Sequence, residues 1–280
     1  MKSYIIALWI ALVSTLCTYT SEAAPRSIKG SGVLVTRTVT TQPYTAVKAS
    51  RAIKVTIQEG SGDQINIEAD DNLIDYVETR VEKGCLILTI DNDIQSLRNA
   101  TVRITLTSNG DLEGLHTTSA ASIECRPQIL HNEVDLSASS AGSITANVKC
   151  EECEIDCSSS GNIRAEIRCN TCDIEASSSG EVKATLVTRQ CDIECSSAGQ
   201  VQLKGASLSC EAECSSAATL SAAQFAVKHY QVDVSSAGHA KICCVEKLQA
   251  EASSGGSIRY TGGCQVTSMK SSSGGSVHSF

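Results

Sequence analysis

Four cysteines carry the spacing of a zinc site. Cys150-x-x-Cys153 and Cys169-x-x-Cys172 together read C-x2-C-x15-C-x2-C, a pattern in which two thiolate pairs can close a tetrahedron about a metal. Carboxylates recur just as regularly. Asp135, Glu154, Asp173, Asp192 and Glu211 form one row, and Asp156, Glu175, Glu194, Glu213, Asp233 and Glu251 form a second. Rows of oxygen ligands could bridge divalent cations such as calcium or meet a basic partner, and an exposed row can also simply be screened by solvent and salt. Catalytic chemistry is less well supplied. His116, His131, His229, His239 and His278 share no column, and the chain has neither a Gly-x-Ser-x-Gly elbow nor a His-Glu-x-x-His pair. No catalytic residue is assigned.

The elements that position these groups come from a repeat. From Val134 onward one phrase recurs about every 19 residues: Cys153-Glu-Ile-Asp-Cys157-Ser-Ser-Ser-Gly161, Cys172-Asp-Ile-Glu-Ala176-Ser-Ser-Ser-Gly180, Cys191-Asp-Ile-Glu-Cys195-Ser-Ser-Ala-Gly199, with later, looser copies. A fixed period of this length marks a solenoid, in which each unit buries its apolar side by stacking on its neighbours. Within a unit, apolar and charged residues alternate strictly, the period of a strand and not of a helix. The reading is therefore all-β: a right-handed parallel β-helix with coils of about 19 residues. Its interior columns run Val134, Cys153, Cys172, Cys191, Cys210, Tyr230, Leu248; then Leu136, Ile155, Ile174, Ile193, Ala212, Val232, Ala250; then Ala138, Cys157, Ala176, Cys195, Cys214, Val234, Ala252. The two acidic rows lie between them on the outside. The Ser-Ser pairs mark corners, with the glycine expected to supply a positive φ.

The same repeat accounts for the zinc spacing. Cys153 and Cys172 belong to a longer column, and rungs about 4.8 Å apart present thiols in a line rather than around a point. Buried thiols acting as small hydrophobes are the expected state, so no metal and no cofactor are assigned. Disulfides between neighbouring rungs remain open, though in-register Cβ atoms sit slightly beyond bonding separation. Cys243 and Cys244, being adjacent, should point one thiol inward and one outward.

The chain has 280 residues, 3% aromatics and a net charge of −8. That charge speaks against nucleic acid or an anionic membrane as partner. Residues 1–23 read as a secretory signal: Lys2, an apolar run from Ile5 to Cys17 that includes Trp9, and small residues before a cleavage point after Ala23. Lipoprotein anchoring at Cys17 is the alternative, though Leu16 is bulky for it. Cleavage would leave 14 of the 15 cysteines, in an export setting that permits disulfides. No other stretch is long and apolar enough to span a bilayer. Residues 24–42 read as a flexible lead-in and 43–133 as irregular coils, with 91–100 a loop; 134–280 carry the regular repeats. About a dozen coils, roughly 60 Å of rungs, are expected.

The N-terminal run Val55-x-Ile57-x-x-Gly60, Ile65-x-Ile67-x-Ala-Asp-Asp-Asn-Leu73, Thr79-x-Val81-x-x-Gly84-x-Leu86-x-Leu88, followed by Ser-Ser-Gly corners and Gly161-Asn-Ile163, resembles the bacterial family named putative auto-transporter adhesin, head GIN domain. The likeness covers roughly Tyr44 to Phe280. It implies a right-handed β-helical fold, export and a role in adhesion, and it brings no catalytic residues. This chain differs in its cysteine columns and in Ser-Ser-Ala-Gly corners.

The function expected is that of a non-enzymatic exported module, periplasmic or on the cell surface, that binds an unidentified surface ligand, protein or polysaccharide. The acidic row Asp156, Glu175, Glu194, Glu213, Asp233, Glu251 is its candidate binding face. A carbohydrate-active enzyme of polysaccharide-lyase type on the same fold, and a purely structural spacer, are the alternatives. A fold alone does not choose between them.

Overall fold

The computed structural model describes residues 26–280, and the signal assigned to residues 1–23 lies outside them. From Gly114 onward the chain winds through about nine stacked turns, each made of two strands lying in two parallel sheets. One turn illustrates all. Strand Glu152–Cys157 lies in the first sheet, a Ser-Ser corner follows, strand Asn162–Arg168 lies in the second sheet, and a shorter corner at Cys169 and Asn170 returns the chain. The next turn stacks in register, with Cys153, Ile155 and Cys157 facing Cys172, Ile174 and Ala176. Every pairing from Gly114 to Ser279 is parallel. Burial alternates along the strands of the regular turns, as over Glu152–Cys157, where Cys153, Ile155 and Cys157 are buried and the residues between them are not. The alternating sequence thus becomes a dry interior and a charged exterior.

The corner departs from expectation. Positive φ falls on the two residues before the glycine: 49° and 62° at Ser159 and Ser160, 48° and 64° at Ser178 and Ser179, 49° and 61° at Ser197 and Ala198. The left-handed region costs a non-glycine residue about 1–2 kcal/mol. Hydrogen bonds offset it at each corner. In one corner the Ser158 N–H donates to the Ala138 carbonyl at 3.0 Å, the Ser160 N–H to the Ser178 carbonyl at 3.1 Å and the Gly161 N–H to the Ser158 carbonyl at 2.8 Å. The glycine serves a different need. A Cβ on Gly161 would fall on the Ala138 carbonyl of the preceding turn, and one on Gly180 on that of Cys157.

At the last two corners the second left-handed position is itself glycine, Gly255 with φ 76° and Gly274 with φ 80°. Ala198→Gly is therefore expected to raise folding stability by about 0.5–1 kcal/mol, relief of left-handed strain exceeding the added freedom of the unfolded chain. Urea denaturation measures it; a loss of stability would show that the methyl of Ala198 packs usefully.

The N-terminal region overturns two expectations. Residues 24–42 are not a flexible lead-in over their described part: Arg26–Lys29 pairs parallel with Ile94–Arg98, and Leu34–Thr40 pairs antiparallel with Gln64–Asp70. The supposed loop 91–100 therefore contains a strand as well. Nor are the irregular coils expected over residues 43–133 stacked in chain order before Gly114. Ala46–Ala49 is flanked on one side by Cys85–Ile90 and on the other by Gly114–Thr117, so the turn that follows in sequence stacks beneath and a later one stacks above. Between them Val77–Glu82 and Cys85–Ile90 form an antiparallel hairpin, and Gln64–Asp70 runs antiparallel to Val102–Ser108. These hairpins reduce the dozen coils to about nine turns, about 43 Å of stacked rungs. They also cap the N-terminal end of the stack, pairing strand edges that would otherwise offer unpaired backbone to another chain.

The interior holds the three expected columns. Cys153, Cys172, Cys191 and Cys210 stand opposite one another on successive turns and continue into Tyr230 and Leu248. All are buried, as are the second and third columns. Tyr230 and Phe225 are the two largest fully buried side chains. Of the adjacent pair, Cys244 is buried and Cys243 half-buried.

Candidate functional site

The first sheet turns its carboxylates outward in two columns. Asp135, Glu154, Asp173, Asp192 and Glu211 stand opposite one another in register, as do Asp156, Glu175, Glu194, Glu213, Asp233 and Glu251. Strand pairing thus places each acid directly above the next, an arrangement of like charges that destabilises a sheet. The Lys270 ammonium relieves one end of the second column, 3.2 Å from the Glu251 carboxylate, and the His116 ring lies 3.6 Å from Asp135 at the start of the first. Between those ends, Glu154, Asp156, Asp173, Glu175, Asp192 and Glu194 line a shallow depression of about 240 Å³.

Burial and crowding together raise several of these carboxyl groups. Asp156 beside it, together with burial and further acids on both sides, holds Glu154 above the ordinary carboxylate range. Burial and then the neighbouring Asp192 raise Asp173; burial and then Glu251 raise Asp233; burial raises Asp135 against the pull of His116. Glu181 and Glu246 move the other way, held down by hydrogen bonds from Lys183 and Lys228 respectively.

A raised carboxylate pKa means that the folded chain keeps a proton that the unfolded chain has released. That stability is present in full below the ordinary carboxylate pKa near 4 and is lost as pH rises through the folded values. At low ionic strength the melting temperature is therefore expected to rise by a few degrees between pH 7 and about pH 4.5, Glu181 and Glu246 opposing only in part. Added salt at pH 7 should raise it in the same direction by screening the column. A melting temperature that falls over this range, or ignores salt, would show that the column is not a source of strain.

The second sheet carries the opposite sign, a feature the sequence reading missed. Thr145, Arg164, Lys183, Gln202, Ser221, Lys241 and Arg259 occupy one outward column. Arg164, Lys183 and Lys204, with Asn147, Glu166 and Thr185, line a depression of about 550 Å³. The signal was available in the sequence, because the residues after each Ser-Ser corner alternate as regularly as those before it.

The cysteines divide by position. Burial pushes Cys157 and Cys195 up to about 11 and Cys214 to about 12, which keeps these thiols neutral and unreactive. All fourteen cysteines among the described residues are free thiols. Cys150 and Cys169 lie half-buried at the corners before Cys153 and Cys172. Among the described residues no group of three or more His, Cys, Asp or Glu side chains is arranged to hold a metal ion, since the thiols follow the rungs rather than surround a point. The five histidines are not brought together as one group, although His116 and His131 border a shared depression with Glu133, Asp135 and Glu152.

Two overlapping stretches, residues 43–203 and 165–264, match the model of a single family, described as putative auto-transporter adhesin, head GIN domain. The chain belongs to that family. No curated protein matches the sequence. Among solved structures, a putative adhesin from Parabacteroides merdae superposes with a TM-score of 0.70 at 18% identity, over 91% of this chain and 99% of the other. A putative lipid binding protein from Parabacteroides distasonis gives 0.67 at 19% identity, over 91% and 100%. A putative adhesin from the same species gives 0.67 at 16%, again over 91% and 100%. These likenesses establish the β-solenoid fold of the family member. No helix among its described residues is long and apolar enough to cross a membrane.

Proposed function

We propose that this head GIN domain protein is a non-enzymatic exported adhesion module, residues 1–23 being its removed signal, and that the acidic sheet is its binding face. One observation carries the assignment: six carboxylates, Asp156, Glu175, Glu194, Glu213, Asp233 and Glu251, stand on successive rungs of one extended outward column. A rigid row of like charges at rung spacing engages a repetitive ligand at many weak points at once, and multivalent contact of that kind raises avidity well beyond any single contact. The ligand is a surface protein or polysaccharide that presents cationic groups, or hydroxyls bridged through cations. Adhesin-described relatives of the same fold support this reading.

The test is retention of the full mature chain on surfaces coated with poly-lysine, with chitosan and with a neutral glucan, beside a variant in which Glu175, Glu194 and Glu213 are glutamine. Salt-sensitive binding to a cationic coating, weakened at least tenfold in the variant, is the expected result. Equal retention of both proteins, no retention of either, or release of oligosaccharides from a coating would overturn the assignment. Terminal sequencing of the exported protein should begin at Ala24.

A further inference from the structure

We propose that Cys150 and Cys169 form a redox-active dithiol, with Cys169 the nucleophile and Cys150 the resolving thiol, that closes to a disulfide between adjacent turns on reaction with a small-molecule disulfide. The inference is independent of the adhesive role. It rests on where the two residues stand. The flanking pairs Lys149 with Arg168 and Glu152 with Thr171 are in register, which holds the two cysteines on neighbouring rungs about 4.8 Å apart. That lies within the Cα range of a disulfide. The backbone is fixed there, the Cys150 N–H donating to the Arg168 carbonyl at 3.1 Å and the Cys169 N–H to the Val187 carbonyl at 3.1 Å.

The next two turns show what this corner position does structurally. Thr188 lies 2.9 Å from the carbonyl oxygens of Asn170 and Gln190, and Ser207 lies 2.7 Å from that of Ser209, so a hydroxyl there stitches the corner. Cys150 and Cys169 give up that stitching. In its place the Cys169 Sγ sits 3.6 Å from the Thr188 Oγ1, showing that side chains at this position touch from turn to turn. The neighbouring thiols of Cys150 and then Cys172 hold the Cys169 thiol below its ordinary value, while Cys150, beside Cys153 and Cys169, is raised. Two half-buried thiols on neighbouring rungs, one of them lowered by its neighbours, are the arrangement that thiol exchange requires. Cys153 and Cys172, 3% and 0% exposed, are closed to any oxidant.

The chemistry balances in two steps. The Cys169 thiolate attacks one sulfur of RS–SR, forming a mixed disulfide and expelling RS⁻. Cys150 then loses its proton and attacks the Cys169 sulfur, forming the Cys150–Cys169 bond and expelling the second RS⁻. Two protein thiols are oxidised and one disulfide is reduced to two RSH. The bond would clip one turn to the next and raise the melting temperature by about 6 °C, the effect of closing a loop of this size in a chain of this length.

The experiment treats the folded full chain with oxidised glutathione and maps disulfides by mass spectrometry without reduction. A Cys150–Cys169 bond forming first, with the melting shift and reversal by reductant, is expected. Cys150→Ser should stop at glutathione on Cys169. Cys169→Thr, which places at this corner the residue the next turn already uses, should slow glutathione uptake by Cys150 at least tenfold. A measurement free of substitutions accompanies these: limiting iodoacetamide on the native protein should label Cys169 before Cys243 and Cys264. Earlier labelling of those two, unreacted Cys150 and Cys169, or one zinc ion per purified chain protecting four thiols would each overturn the proposal.

Discussion

Gly180→Val is expected to cost about 3 kcal/mol or more of folding stability. Any Cβ at this position falls on the Cys157 carbonyl and lies within 3.0 Å of the Ser158 nitrogen, both backbone atoms of the turn below. Backbone cannot rotate aside as a flexible side chain can. The Cys157 carbonyl also accepts from the Ser177 N–H at 2.9 Å, and the Gly180 N–H donates to the Ser177 carbonyl at 2.8 Å, so displacement breaks the bonds that offset the left-handed serines. Overpacking of this kind costs about 1–3 kcal/mol where side chains can yield and more where they cannot. Ala121 and Ala218 stand buried at the equivalent place in other corners, so one methyl can be absorbed where a corner has adjusted. Gly180→Ala should therefore cost clearly less than valine. Chemical denaturation of both variants measures this; equal stability of the valine variant and the parent would remove close approach as the reason for glycine.

Ile174→Ala is expected to cost about 2–5 kcal/mol, the usual range for deleting most of a buried aliphatic side chain and leaving the space unfilled. Ile174 is 2% exposed and sits between Ile155 and Ile193 in the same column. A loss in the middle of a stacked array has a second consequence, because each turn is stabilised by its two neighbours alone. The unfolding transition should broaden as the turns on either side begin to melt separately, seen as a lower slope against denaturant. Ala212 shows where alanine is tolerated in this column, and there the bulky Phe225 of the same turn and Tyr230 of the next are buried nearby. A cost below about 1 kcal/mol with an unchanged slope would mean that the interior collapses freely around the gap.

Much of this molecule could be read from its sequence. The 19-residue period and the alternation within Cys153–Cys157 and Ile163–Ile167 specify stacked parallel strands, because side chains alternate across a strand and a repeat buries its apolar face only against a copy of itself. The interior columns and the acidic rows follow from those two periods, and the register of Cys153 with Cys172 or Glu175 with Glu194 needs nothing further.

Other features depend on contacts that no local pattern encodes. The insertion of Ala46–Ala49 between Cys85–Ile90 and Gly114–Thr117 joins segments distant in sequence, and the irregular spacing there leaves no period from which to read it. The strand Leu34–Thr40 is largely exposed and buries no face of its own, so only its pairing with Gln64–Asp70 defines it. At the corners, residue types indicated a turn, yet the close approach of one turn to the next decided that serines take the left-handed conformation while the glycine makes room for a carbonyl. The repeat already accounted for the zinc-like cysteine spacing, but only stacking sorted the thiols into buried ones inside the column and a half-buried pair at its corner. Local periodicity therefore determined the rungs and their faces, because it acts through neighbours in the chain. Tertiary packing decided the stacking order, the corner conformation and the accessible thiols, because those depend on what lies one rung away.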